Sequence, residues 1–231
     1  MIGQVRDLFF ANKHGMKLSS ITPRPMASVV ESSHVPADGG GDTNYRAIRE
    51  IRTYSVGWFN QGCAKTDDFQ ALVNQLDERL RVRFQRLPPI DFWFNASPMF
   101  QPPPWSNHVG THEQDIASFV AHKRFKPWLA EVRDFVDAKE AEIADSESGC
   151  SDSLHIVLVC RAGRNRSVTG KKVLDHIFSS SGYMTQDDGF LSKPGWHCAN
   201  YRVCSTCQGC TEMTPLKWHS LNKAFRIWNG L

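Results

Sequence analysis

The sequence predicts an α/β protein: a layered, mostly parallel sheet with helices on both faces, followed by a cysteine-rich carboxy-terminal extension. Three observations predict it. Apolar strand-like runs alternate with amphipathic helix-like runs, which implies parallel pairing through crossover helices. The run Leu154-His155-Ile156-Val157-Leu158-Val159 leads directly into a glycine-containing loop and then a helix. Of the seven cysteines, four crowd the last quarter of the chain, at Cys198, Cys204, Cys207 and Cys210.

The elements follow in order. Residues 1–45 read as a flexible lead-in, with Ser, Thr, Pro and the run Gly39-Gly40-Gly41. Ala47 to Phe59 is strand-like, with Ile48, Ile51, Tyr54, Val56 and Trp58, and Asn60-Gln61-Gly62 ends it. Asp67 to Leu80 predicts a helix with Phe69, Leu72, Val73, Leu76 and Leu80 on one face, capped by Thr66. Ile90 to Phe94 is mostly apolar and predicts a central strand. After the proline-rich stretch Pro98–Pro104, Thr111 and Gln114 form a capping box for a short helix. Lys126-Pro127-Trp128 opens a longer one. Asp145 to Ser153 is a polar loop, 154–159 the clearest strand, and 167–180 a helix ended by Gly182. The α/β domain thus spans 46–183 and the cysteine-rich extension 184–231.

Composition excludes some classes. With 41% hydrophobic residues among 231, the chain can build a sizeable core. A net charge of +3 permits anionic ligands without arguing for nucleic acid by itself. No apolar run approaches ~18 residues, so no membrane span is expected. The first twenty residues lack a secretory h-region; Arg6, Lys13 and Lys17 against Asp7 leave an organelle transit peptide as the alternative to a cytoplasmic location. An odd cysteine count without a secretion signal favours a reducing compartment, where clustered cysteines hold metal rather than form disulfides.

The chemistry centres on Cys160-Arg161-Ala162-Gly163-Arg164-Asn165-Arg166-Ser167. Successive N–H groups of such a loop form an anion-binding concavity, and the start of the following helix adds partial positive charge. Gly163 supplies backbone freedom, Arg166 a bidentate fork for phosphate, and Arg161 and Arg164 positive field at the mouth. Ser167 can cap the helix and hydrogen-bond within the loop. Cys-x5-Arg-Ser is also similar to the phosphate loop of protein tyrosine phosphatases, in which Cys160 would be the nucleophile and Arg166 the clamp on the phosphoryl oxygens. Against that reading stand Val159, where the larger phosphatases carry histidine, and the absence of a Trp-Pro-Asp or Asp-Pro motif to supply the acid.

In the tail, His197-Cys198 and Cys204-x2-Cys207-x2-Cys210 have chelate spacing. Cys198, Cys204, Cys207 and Cys210 are the expected ligands of a structural zinc, with iron–sulfur ligation and no metal as alternatives and His219 as a substitute ligand. His108, His112 and His155 read as hydrogen-bonded structural histidines.

Four segments together carry a wider resemblance. They are Ser55-Val56-Gly57-Trp58-Phe59 with Gly62, then Asp91-Phe92-Trp93-Phe94-Asn95-Ala96-Ser97-Pro98, then Gly110-Thr111 to Val120, and last Cys160 to Val168. In this order the stretch from about Arg52 to Tyr183 resembles the carboxy-terminal domain of the RNase adapter protein RapZ family, with Cys63 to Pro89 standing as an insertion. The resemblance implies a domain that binds a phosphorylated amino sugar rather than cleaving it, and that contacts small RNA. It implies that residues 160–167 line the phosphate, that Arg166 is the main clamp and that Asp91 lies near the ligand. Met99 stands where the family has histidine, and Arg164-Asn165 where it has Lys-His, departures that bear on the sugar and not on the phosphate. No Gly-x4-Gly-Lys-Ser/Thr motif occurs, so the family's kinase-like half is not expected. Arg81, Arg83, Arg86, Lys123, Arg124 and Lys126 are the residues that would carry RNA backbone contacts.

Overall fold

The computed structural model describes residues 47–99, 108–145, 151–186, 189–192 and 201–231. The chain divides into two units, Met1–Thr43 and Asn44–Leu231, and all described residues belong to the second. Three parallel strands form the sheet: β1 (Ile48–Gly57), β2 (Phe92–Asn95) and β3 (Ser151–Cys160), in the order β1-β3-β2. The expected strand 154–159 is therefore the interior one. It starts earlier than its apolar run because β1 is long enough to pair with it from Ile48↔Ser151.

Alternation along β3 decides the layering. Leu154, Ile156 and Leu158 face one core, and Val157 and Val159 face the other. The second core is closed by α1 (Phe69–Arg83) through Leu72, Leu76 and Leu80. The first is closed by α2 (Glu113–Ala121), α3 (Phe125–Ala144) and α4 (Arg166–Ser180), through residues such as Phe119, Val132 and Ile177. Helices thus cover both faces, which is why Leu154 and Ile156 to Val159 of the central strand are apolar. Beyond β1 the sheet is extended by single bridges from Met184 and Phe190, both parallel.

Four local expectations shift. The strand expected to be central at 90–94 is β2, which among the described residues pairs with β3 alone and so lies at the edge of the sheet. Asp68, not Thr66, caps α1, its carboxylate accepting from the Gln70 N–H at 2.9 Å. His112, not Thr111, caps α2: its Nδ1 accepts from the Gln114 N–H at 3.2 Å, as an Asn oxygen would. Pro127 lies within the first turn of α3 rather than at its first position, still where N–H groups lack an intrahelical acceptor. The tail adds α5 (Tyr201–Thr206), α6 (Gln208–Thr211) and α7 (Pro215–Trp228). Leu221, Ala224 and Trp228 of α7 join the first core, so the carboxy-terminal helix belongs to the domain's own packing. No helix among the described residues is long and apolar enough to cross a membrane.

His155 on β3 is the structural histidine the sequence suggested. Its ring sits between the Tyr54 hydroxyl (3.1 Å from Nδ1) and the Ser153 hydroxyl (3.0 Å from Nε2). Burial pushes its pKa below the usual histidine value, opposed by Asp91. The unfolded chain takes up that proton near pH 6.5, whereas the folded ring resists it, so this contribution to stability is present above pH 6.5 and lost as pH falls below it. The urea midpoint should therefore drop between about pH 7.5 and about pH 5.5, and His155→Gln should remove part of the drop. An identical pH slope in parent and variant would show that the ring's burial is not felt.

Candidate anion-binding loop and cysteine–histidine cluster

The loop leaves β3 at its carboxyl end and turns at each residue from Arg161 to Asn165 before α4 begins. It closes on Cys160, which is only 2% exposed. The Gly163 N–H donates to Cys160 Sγ at 3.2 Å, and Ser167 Oγ, fully buried, lies 3.1 Å from the same sulfur. Gly163 makes this turn with φ +64°, a conformation that side chains disfavour. Its amide packs on the end of β1: a Cβ on Gly57 would lie 2.4 Å from Gly163 N and 2.3 Å from the Ala162 carbonyl carbon. The Ala162 oxygen accepts from Asn60 Nδ2 at 2.6 Å, and Arg161 is exposed with its guanidinium 5.8 Å from the Phe59 ring centre. Residues 160 to 167 therefore form one compact loop packed on the end of β1.

No family model, curated protein or solved structure matches the chain.

The rim is built by two other segments. Arg166 Nη1 donates to the Ser97 carbonyl, just after β2. Asn165 places no side-chain cap on α4. Its amide instead donates to the His108 carbonyl and to Asp115 Oδ2, both at 3.0 Å. Arg164 donates to the same His108 carbonyl at 3.4 Å through Nε and Nη2. Asp115 is 4% exposed, and burial raises its pKa above the ordinary carboxylate range, with the Asn165 hydrogen bond opposing. A motif search for an acid passes over Asp115, because it lies on a helix fifty positions before the loop residue it contacts.

Asp91 does not meet the loop. Its Oδ2 accepts from the His155 N–H at 2.7 Å. That is five positions before Cys160, or roughly 16 Å along the strand. It lines instead a cavity of about 750 Å³ beside β2, together with Trp93, Asn95, Arg124 and Trp128. The far end of that cavity reaches Pro98, next to the Ser97 carbonyl that holds Arg166. The basic residues also separate. Arg81 and Arg83 belong to α1 on one face of the sheet, Arg81 pairing with Asp77, while Lys126 belongs to α3 on the other.

In the tail, Cys204, Cys207 and Cys210 converge, while Cys198 lies outside the described residues. The partners they meet are the two histidines at the foot of α2. His108 forms one group with Cys204 and Cys210 and another with His112 and Cys207, the ligand atoms of each group lying within 4.8 Å of one another. His108 Nδ1 is 3.4 Å from Cys210 Sγ, and the two imidazoles are 4.1 Å apart. His108 is thus hydrogen-bonded, as the sequence suggested, but to a thiol of a group that could hold a metal ion; His112 is both a cap and a neighbour of the thiols. His219 is exposed on α7 and outside both groups.

The cluster can hold a metal ion. Burial, reinforced by the neighbouring Cys204 and Cys207 thiols, pushes the Cys210 thiol up to about 12. Lys217 Nζ donates to the Cys210 and Glu212 carbonyls at 3.1 and 2.8 Å, placing a buried positive charge beside the sulfurs. Burial lowers the Lys217 pKa, and Cys210 and Glu113 oppose that shift.

Proposed function

We propose that this protein binds a phosphate-bearing ligand, a phosphorylated small molecule or a nucleotide, in the loop of residues 160–167. The observation that carries the reading is the loop itself: Gly163 N–H turned inward onto Cys160 Sγ, with a helix starting at Arg166 whose preceding residue spends its side chain elsewhere. An inward amide and a helix amino terminus are groups that attract phosphate oxygens. Arg166 supplies a planar fork, one donor of which is anchored on Ser97, so the guanidinium is oriented before the ligand arrives. Arg161 and Arg164 add field. Cys160 serves as the buried hub of the loop. The resemblance to the RapZ carboxy-terminal domain points the same way, and the cavity beside β2 has room for the body of a sugar or base near Asp91.

Zinc is the metal this reading assigns to the tail. Three thiolates and one imidazole would make a closed tetrahedral set of the structural kind: Cys204, Cys210 and His108 from one group, and Cys207 from the group it forms with His108 and His112. A reducing, cytoplasmic location suits the free cysteines among the described residues, Cys63, Cys160, Cys204, Cys207 and Cys210. An RNA partner would have to use basic residues from both faces of the sheet, and it would follow the phosphate reading rather than replace it.

One observation favours a second reading, a cysteine-dependent phosphatase. Asp115, a buried carboxyl with a raised pKa tied to the loop through Asn165, is the kind of group that protonates a leaving oxygen. Calorimetric titration with phosphorylated sugars and nucleotides, run beside an aryl-phosphate hydrolysis assay, tests both. Binding without hydrolysis is the expected result. Hydrolysis abolished by both Cys160→Ser and Asp115→Asn would establish the second reading.

A further inference from the structure

His108 has two jobs at once. Its ring stands in the cysteine cluster, 3.4 Å from Cys210 Sγ and grouped with Cys204, Cys207 and His112. Its carbonyl, meanwhile, is the acceptor for Asn165 and Arg164 of the phosphate loop, at 3.0 and 3.4 Å. The residues after it run on as a splint. The Gly110 N–H donates to the Arg164 carbonyl at 3.0 Å, and the Gly110 carbonyl accepts from Thr169 Oγ1 at 2.9 Å. The fit leaves no slack, since a Cβ on Gly110 would lie 2.2 Å from the Asn165 carbonyl oxygen.

On the other side the cysteine turn is held to the body of the domain. Lys217 on α7 ties the Cys210 and Glu212 carbonyls, Thr214 bonds Glu113 on α2, and α7 itself packs into the core. The segment 108–110 is thus clasped between a turn fixed to the core and the loop that would take phosphate. Without a cation the ring end of the clasp is only a thiol–imidazole contact, and sulfur is a weak hydrogen-bonding partner. With a cation it is a coordinate bond.

We propose that metal binding at Cys204, Cys207, Cys210 and His108 sets the phosphate loop, so that the metal and the phosphate are bound cooperatively through His108. The inference rests on the phosphate reading of the loop. In the metal-bound state the His108 carbonyl is pinned, and it holds Asn165 and Arg164 in the geometry that opens the loop to an anion. In the metal-free state the 108–110 splint is released from the tail, and the ligand must order it on binding. The coupling is reciprocal, because a ligand that prefers the pinned splint also tightens the metal by the same factor.

The experiment uses the full chain in its zinc-loaded form, freed of excess zinc, and the same chain stripped with a chelator. Inorganic phosphate is titrated into each by calorimetry. Zinc stoichiometry and affinity are read separately, by competition with a chromogenic chelator, with and without phosphate. One zinc per chain is expected. Phosphate should bind about 5- to 100-fold more tightly to the loaded protein, and phosphate should raise zinc affinity by the same factor. His108→Ala should weaken zinc and erase the difference between the loaded and stripped proteins; His108→Cys, which restores a fourth thiolate, should recover both. If the stripped chain loses its fold, the effect of phosphate on zinc affinity, measured on the folded zinc protein, decides alone.

Equal phosphate affinity in both forms, or no effect of phosphate on zinc, overturns the coupling while leaving the loop as a phosphate site. A protein that takes up one zinc but binds no phosphate in either form overturns the phosphate reading and this inference with it. Failure to bind zinc overturns the metal centre.

Discussion

Gly57→Ala should collapse the anion site and cost about 3 kcal/mol or more of stability, because the added methyl has nowhere to go. Gly57 is the last residue of β1 and pairs with Cys160. Its backbone passes directly under the turn that carries Ala162 and Gly163. A Cβ there would stand 2.3 Å from the Ala162 carbonyl carbon, 2.4 Å from Gly163 N and 2.5 Å from the Ala162 oxygen. All three are backbone atoms, so no side chain can swing away to make room. The loop must lift or the end of β1 must separate from β3, and either movement takes the Gly163 N–H away from Cys160 Sγ. Gly182 is the control. It has φ +90° but nothing within 4 Å of an added Cβ. Its alanine variant pays backbone strain alone, about 1–2 kcal/mol. Urea denaturation and phosphate titration of both variants make the test. Gly57→Ala should lose stability and binding together, whereas Gly182→Ala should lose some stability and keep binding. Full phosphate affinity in Gly57→Ala would mean that the close approach of the two backbones does not shape the loop.

What was legible in the sequence was mainly what is local. The run 154–159, the glycine loop and the helix after it are contiguous, and hydrophobic pattern plus loop chemistry place them without help from the rest of the chain. The layering followed from the same evidence, because strands separated by amphipathic helices pair in parallel. The cysteine–histidine cluster was half legible. Cys204, Cys207 and Cys210 carry chelate spacing that any reader can see. His108 carries none, standing 102 positions before Cys210 and just past a proline-rich stretch. Nearness in sequence favoured Cys198, which lies outside the described residues; within them, α7, packed on α2, brings the cysteine turn to the histidines. The start of α7 went unread, although Thr214, whose oxygen accepts from the Lys217 N–H, and Pro215 at the first position are both start signals. Asp91 shows a different limit. The parallel register sets it beside His155, midway along β3 and away from the loop, so it would share a ligand with the loop only through the cavity beside β2.

Arg166→Ala should weaken phosphate binding by about 10- to 150-fold, or about 1.5–3 kcal/mol, the range for losing a charge-assisted fork. The guanidinium is half-buried and already anchored on the Ser97 carbonyl, so little ordering cost is left for the ligand to meet. Two consequences separate this from a general loss of positive charge. Arg166→Lys should recover only part of the affinity, since an ammonium keeps the charge and loses the planar pair of donors. Arg161→Ala, at an exposed residue stacked on Phe59, should cost far less and its effect should fade with salt. Cys160→Ser then reports what the sulfur does. In a protein that only binds, serine can accept the Gly163 N–H and sit beside Ser167 much as the thiol does, so affinity should change by no more than about 1 kcal/mol. In a phosphatase the same change removes the nucleophile: hydrolysis should vanish while substrate binding persists. The pattern expected here is a large loss of affinity with Arg166→Ala and a small one with Cys160→Ser, with no phosphate released from an ester by the parent protein. Steady release that stops with Cys160→Ser would instead make Cys160 the attacking group, and Asp115 the first residue to test as its acid.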